Sequence, residues 1–162
     1  MSDIQLLPAV VEFLARPHGH FIEGHYQVGE TGASIDIHDP STGAVISRVA
    51  EACEAEVERA VRSARQAFKG AWADVSPYQK GVVLNRLADL IEANTEELAQ
   101  LETLCSGKSI NLSRGLEIAQ SVVFLRYFAG WASKITGQTM TPSIPSFAGE
   151  CYTAVSYTHL TL

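Results

Sequence analysis

The apolar residues of this 162-residue chain pass from strand to helical period near Cys53, and that change constrains the fold more than any other feature. Before it, from Phe21 to Val49, the signals are those of strands. Phe21-Ile22 runs into a turn at Glu23-Gly24, and Ile35 and Ile37 are separated from Val45 and Ile46 by Asp39-Pro40-Ser41-Thr42-Gly43. Proline presets the backbone angle for an early turn position and glycine closes the turn, so an antiparallel hairpin is expected. After Cys53 the spacing is helical. Val57, Val61, Ala64 and Phe68 share one face, Glu54 and Glu56 stand where the helix dipole favours carboxylates, and Lys69-Gly70 is a stop. Ser76-Pro77-Tyr78-Gln79 opens a second helix: serine caps, proline fits the first turn, and glutamine completes a capping box. Val83, Leu87, Leu90 and Ile91 form its expected buried stripe. Asn94-Thr95-Glu96-Glu97 restarts the pattern through Leu98, Leu101 and Leu104 until Ser106-Gly107 ends it. A last long helix is expected from Leu112 to Ile135, with Leu116, Val123, Tyr127 and Ala132 facing inward. Residues 1–17 read as a short amphipathic helix or a loose arm, with Leu6, Val10, Phe13 and Leu14 on one face.

The length permits a core of its own, since a compact chain of this size buries roughly 70% of the surface its unfolded form exposes. The formal net charge is −6 and no run of one sign stands out, which disfavours a nucleic-acid partner. The segment Leu6 to Leu14 is short, contains Pro8 and Glu12, and lacks a basic region before it, so it is a poor signal peptide. No stretch approaches the roughly 20 apolar residues of a membrane span, and a cytoplasmic location without membrane contact is the expectation. Cys53, Cys105 and Cys151 are an odd set without a Cys-x-x-Cys pair, which suits free thiols in a reducing compartment.

Few residues carry chemistry by their own pattern. Gly107-Lys108-Ser109 looks like the end of a phosphate-binding loop, but Glu102 stands where that loop needs a glycine, and no Gly-x-Gly-x-x-Gly occurs. Lys108 therefore reads as a solvated cation near a helix end. His18, His20, His25 and His38 cluster around the hairpin region without a cysteine or an ordered carboxylate set, so solvated strand edges are expected there rather than a metal site. A nucleophilic cysteine must be held as thiolate beside a base or a helix N-terminus. Cys105 falls late in a helix, the wrong end of the dipole, and Cys53, just before a helix, is the better placed of the two on electrostatics. The spacing of Phe128, Trp131 and Ile135 is that of a core face rather than of a base-stacking platform.

Two blocks go further. Arg126 to Thr139 reads RYFAGWASKITGQT, and Leu101 to Lys108 reads LETLCSGK. Upstream, in order, come Phe21 to Gly24 (FIEG), Asp39 to Ile46 (DPSTGAVI) and Ala60 to Phe68 (AVRSARQAF). Together they resemble the aldehyde dehydrogenases, over roughly Gly19 to Thr153. The resemblance implies an α/β fold of which this chain is the N-terminal region: a β-hairpin and three to four helices, then a strand starting near Gly149, without the parallel cofactor-binding sheet. Residues 18–153 form that part. Residues 154–162 depart from the family pattern, and the expectation is a fragment cut short by a frameshift, a sequence join or a gene break.

In that family a cysteine thiolate attacks the aldehyde, hydride passes to NAD or NADP, and a glutamate-activated water releases the acid, with a backbone N–H and an asparagine amide on the oxyanion. The resemblance assigns all of these groups to segments outside this chain. No catalytic or cofactor-binding residue is therefore expected here, no NAD or NADP on the chain by itself, and no activity from it alone. What the chain supplies by resemblance is one wall of the substrate tunnel, with Leu116 and Gln120 in the tunnel-facing positions. Some relatives hold a monovalent cation at positions matching Ile37 and Cys105; a thiol in place of the carboxylate removes the charged ligand, and no metal is expected. Asp39 replaces a frequent asparagine, and either can bond its own backbone.

The run from Lys134 through Ser143-Ile144-Pro145 is most similar to phenylacetaldehyde dehydrogenases, which implies an aromatic aldehyde for the complete enzyme. Complete members are homo-oligomers that associate through the strand expected near Gly149; its interruption at Val155 implies no native oligomer for this chain. Apolar faces meant for the rest of the enzyme should be exposed, with poor solubility as the consequence. The competing expectation is a non-catalytic helical protein, or a pseudogene product, that uses those faces to bind a partner.

Overall fold

The computed structural model describes residues 5–134 together with the backbone of 138–140 and 151–153. The chain starts with a short helix, α1 (Pro8–Ala15), opened by proline in its first turn. Its expected face is the buried one. Val10 is fully enclosed, and Phe13 and Leu14 are half-buried against β4 (Val45–Ala50) and α5 (Thr95–Ser106). Two hydrogen bonds tie this arm down: the Leu7 N–H donates to Gln100 Oε1 at 2.8 Å, and the Ser47 hydroxyl donates to the Leu14 carbonyl at 3.0 Å.

Two separate hairpins follow where a single hairpin was expected, because Glu23-Gly24 and the Asp39 turn each close a pair of strands. β1 (His20–Ile22) pairs antiparallel with β2 (His25–Gln27). Glu23 and Gly24 both take positive φ, 56° and 81°, the geometry whose twist matches a two-residue hairpin loop. β3 (Ser34–His38) pairs antiparallel with β4, with a register shift after Ile37 that carries the strand into the Asp39 turn. Asp39 closes that turn on its own backbone as expected. Its carboxylate accepts the Ser41 N–H at 2.8 Å and the Thr42 hydroxyl at 3.0 Å, and the Ser41 bond foremost holds it below the usual carboxylate range.

The helical half keeps its expected punctuation. α2 (Glu54–Lys69) ends at Gly70, a single turn α3 (Ala71–Asp74) follows, and α4 (Pro77–Ala93) opens with Ser76 and Gln79 capping each other. α5 restarts after the single residue Asn94 and stops at Gly107, whose φ of 73° is the left-handed cap. The final helix differs from expectation. It is built of a short turn α6 (Ile110–Leu112), a π-helical segment (Ser113–Ile118) and α7 (Ala119–Trp131), and Ile135 lies outside the described residues.

The inward stripes also need correction. Val57, Val61 and Phe68 on α2, Val83, Leu87 and Leu90 on α4, and Leu116, Val123 and Tyr127 along the last helix are all exposed. The helices meet instead through small residues, Gly81 and Ala88 on α4 and Val122 and Ala129 on α7. Small side chains let two helix backbones approach closely, with Leu84 and Leu125 half-buried beside them, whereas the exposed large apolar residues named above lie outside this contact. The expectation of exposed apolar faces is thereby met.

After α7, β5 (Gln138–Met140) pairs antiparallel with β6 (Cys151–Thr153), two residues beyond the strand start expected at Gly149. Among the described residues the strands form three two-stranded antiparallel sheets. The tail 154–162 lies outside the described residues. Among the described residues no helix is long and apolar enough to cross a membrane.

Candidate functional site

Leu116 sits in the π-helical segment and Gln120 in the first turn of α7, both exposed. At about 100° per residue, Gln120 lies about 200° from Val122, on the far side of α7 from the contact with α4. That far side continues through Phe124, Tyr127 and Trp131, each about half exposed, with the Tyr127 and Trp131 ring centroids 6.3 Å apart. Leu116 and Gln120 thus stand at the N-terminal end of an aromatic and aliphatic face in which Gln120 is a lone amide. Spacing alone would have put that face in a core, as the sequence suggested for Phe128 and Trp131; both are exposed.

The back of the segment is polar and tightly bonded. The Thr103 hydroxyl of α5 donates to the Ser113 hydroxyl at 2.9 Å, with both residues buried. Arg114 makes a two-pronged bond to Glu96, Nε to Oε2 at 2.7 Å and Nη2 to Oε1 at 2.9 Å. The guanidinium, and then Gln100 Nε2 at 3.0 Å, hold the Glu96 carboxyl below its ordinary range. Lys108 lies between Glu117 at 2.9 Å and Glu102 at 3.3 Å, and these two bonds raise its ammonium above its ordinary value. Lys108 keeps the partly solvated place near a helix end that was expected of it, and its ammonium is already paired with two carboxylates.

The turn at Pro40 and the end of α5 come together: a Cβ added at Gly107 would lie 2.9 Å from the Pro40 ring. This brings the strand carrying Ile37 towards the helix carrying Cys105. Ile37 is half-buried in β3 and Cys105 is exposed near the end of α5. Desolvation, and then the Glu102 carboxylate, push the Cys105 thiol above its ordinary value, so it carries no charge for a cation at neutral pH.

The remaining candidates are dispersed. His18 stacks on Phe13 with centroids 4.4 Å apart, His38 Nδ1 lies 3.1 Å from the Gly43 carbonyl oxygen, and His20 Nε2 stands 3.8 Å from the buried Glu56 carboxylate. Among the described residues no three His, Cys, Asp or Glu side chains converge as metal ligands. Cys53 is the N-cap of α2, the helix start expected of it. Its N–H donates to Glu56 Oε2 at 2.9 Å, and the Glu30 N–H donates to Glu56 Oε1 at 3.1 Å. Glu56, missed as a candidate because it looks like a surface residue of a helical first turn, is one of the most enclosed side chains in the chain.

The architecture has known counterparts. An aldehyde dehydrogenase of Davidiella tassiana is 39% identical over 147 residues, covering 91% of this chain and 29% of its own length. The phenylacetaldehyde dehydrogenase of Pseudomonas fluorescens is 38% identical over 140 residues, covering 86% of this chain and 28% of its own. Among solved structures, an NAD+ complex of aldehyde dehydrogenase from Bacillus cereus superposes with a TM-score of 0.81 at 39% identity, over 85% of this chain and 28% of that one. This chain thus spans under a third of the length of these relatives. The Aldehyde dehydrogenase family profile matches residues 26–158, most of the sequence, and the chain belongs to the aldehyde dehydrogenase family.

Proposed function

We propose that this chain is the N-terminal part of an NAD(P)-dependent aldehyde dehydrogenase that oxidises an aryl-acetaldehyde type of substrate to the carboxylic acid in the cytoplasm. The observation that carries the reading is the open face of the last helix, where the amide of Gln120 lies in one exposed stripe with Leu116 of the π-helical segment and Phe124, Tyr127 and Trp131 of α7. Binding sites for small organic substrates have this make-up, mostly apolar with a few polar groups that fix orientation. Leu116 and Gln120 form one wall of the substrate tunnel. The similarity to a phenylacetaldehyde dehydrogenase supports an aromatic aldehyde.

The nucleophile, the general base and the dinucleotide site belong, by the resemblance, to segments outside these residues. No residue of this chain is assigned to the dinucleotide, since Lys108 is held between two carboxylates and Glu102 replaces the glycine a phosphate loop requires. The chain alone is accordingly inactive and binds no NAD or NADP, and the complete enzyme is a homo-oligomer. The exposed apolar residues of α2, α4 and α7 also favour a second reading, a non-catalytic helical protein that covers these faces with a partner.

Steady-state assay of the full-length enzyme with phenylacetaldehyde, acetaldehyde and betaine aldehyde, with NAD and with NADP, tests the proposal. The expected result is aldehyde-dependent cofactor reduction with the highest kcat/KM for phenylacetaldehyde. Better turnover of the short or betaine aldehydes removes the aromatic substrate, and no aldehyde-dependent reduction removes the activity in favour of the interaction reading.

A further inference from the structure

The π-helical segment Ser113–Ile118 sets the phase between the part of the last helix that meets α5 and the part that meets α4. Ser113, Val122 and Ala129 are all buried, Ser113 against Thr103 of α5 and the other two on the side of α7 that meets α4. At about 100° per residue, an unbroken α-helix would set Ser113 about 180° from Val122 and about 160° from Ala129. One helix could not then bury all three on one side. A π turn accommodates one additional residue, which recovers about 100° and brings Ser113 to about 80° from Val122 and about 60° from Ala129.

The same offset decides where Leu116 and Gln120 stand relative to each other, because Leu116 lies inside the segment and Gln120 just past it. α7 is fixed by its contact with α4, where Gly81 lies against the Ala129 backbone. If the segment relaxed to α geometry, Leu116 would swing relative to Gln120. Two cross-links to α5 oppose that: the buried Thr103–Ser113 hydroxyl bond at 2.9 Å and the two-pronged Arg114–Glu96 pair, whose carboxylate is steadied further by Gln100. Neither link reaches the open face of α7, and both grip residues within three positions of Leu116.

We infer that Thr103, Ser113, Glu96 and Arg114 are positioning residues that lock the π register and thereby set the aldehyde selectivity of the wall formed by Leu116 and Gln120. The inference rests on the tunnel reading proposed above. Its measurable quantity is the ratio of kcat/KM for phenylacetaldehyde to that for acetaldehyde, which a loss of stability alone does not move.

The test uses the full-length enzyme with Leu116→Ala, Thr103→Val, Thr103→Ser and Arg114→Gln. Leu116→Ala reports whether the wall touches substrate. Thr103→Val keeps the volume and deletes the donor; Thr103→Ser keeps the donor. The expected result is a shift of the ratio by about three- to tenfold in Thr103→Val and Arg114→Gln, with Thr103→Ser within about twofold of the parent. A shift in Leu116→Ala with none in Thr103→Val and Arg114→Gln overturns the inference and leaves the tunnel wall standing. No shift in Leu116→Ala overturns the tunnel wall and the inference together. Should Arg114→Gln fail to fold, the exchange Glu96→Arg with Arg114→Glu restores the pair, and a parental ratio there is required.

Discussion

Gly81 of α4 rests directly on the backbone of α7: a Cβ at Gly81 would lie 2.8 Å from the Ala129 carbonyl oxygen and 3.7 Å from the Ala132 side chain. Helix α4 comes this near because the meeting residues are small, and Ala88 on the same helix is fully buried. The contact fixes the orientation of α7 and so of the face that carries Gln120.

Gly81→Ala gains about 1 kcal/mol of helix propensity and loses more, because a carbonyl of a packed helix cannot move aside as a flexible side chain can. The expected net loss is about 1 to 2 kcal/mol, rising to about 3 kcal/mol or more for Gly81→Leu. Urea unfolding of the chain measures it. An alanine variant at least as stable as the parent would mean the two helices do not touch at this point.

Thr103 and Ser113 satisfy each other inside the α5 contact, and removing one partner strands the other. Thr103→Val is expected to cost about 1 to 3 kcal/mol, since the Ser113 hydroxyl remains buried without its donor. The double variant Thr103→Val with Ser113→Ala removes both polar groups and should recover a substantial part of that loss. Strictly additive losses in the double-mutant cycle would show that the two hydroxyls do not interact.

The punctuation of this fold was legible in the sequence because it depends on neighbours in the chain. The Asp39 turn, the Ser76–Gln79 capping box and the Gly107 cap each need residues only a few positions apart. The direction of the helix faces was not. Leu116, Val123 and Tyr127 have helical period and read as inward, yet period identifies an apolar face without saying which partner covers it. In α7 the face packed on α4 carries Val122, Leu125 and Ala129, and the one with the aromatic residues is open. The π segment escaped for a related reason. Its register is held by Thr103–Ser113 and Glu96–Arg114, partners 10 and 18 residues apart whose meeting depends on tertiary packing. Leu116 and Gln120 came from family resemblance, and nothing in their own residue types marks them.

Glu56 gives the N-terminal half a pH-dependent bond. The Cys53 N–H foremost, against partial desolvation, and then the Glu30 N–H hold its carboxyl below the ordinary glutamate range. A folded-state value below the unfolded one means the stabilisation is present above the unfolded pKa and is lost as pH falls through the folded one. The parent should therefore melt at a higher temperature than Glu56→Gln at pH 7, and the gap should close as pH falls below about 4, near the unfolded glutamate value. Thermal melts of both proteins over that range measure it. A gap that stays constant with pH would remove the charge from the argument and leave only the packing of the side chain.

By the family resemblance Cys105 would match a carboxylate position of a monovalent-cation site, and its chemistry here points the other way. Burial first, and the Glu102 carboxylate second, raise the thiol above its ordinary value, so the neutral form dominates at pH 7. A neutral thiol is a poor nucleophile and a poor ligand for a hard cation. Cys105 is therefore expected to alkylate with iodoacetamide more slowly at pH 7.5 than a free cysteine peptide, with the rate still climbing above about pH 8.5, where the free peptide begins to level off. Peptide mass spectrometry of the quenched reaction separates it from Cys53. Glu102→Gln removes the second cause and should speed the reaction at pH 7.5, an effect that a purely steric block would not produce. The same neutral thiol predicts that potassium leaves the melting temperature no higher than an equal ionic strength of tetramethylammonium, whereas Cys105→Asp, with a carboxylate beside the Pro40 turn, should gain potassium dependence. Potassium stabilisation of the parent would show that the carbonyls of this region hold a cation without any charge from Cys105.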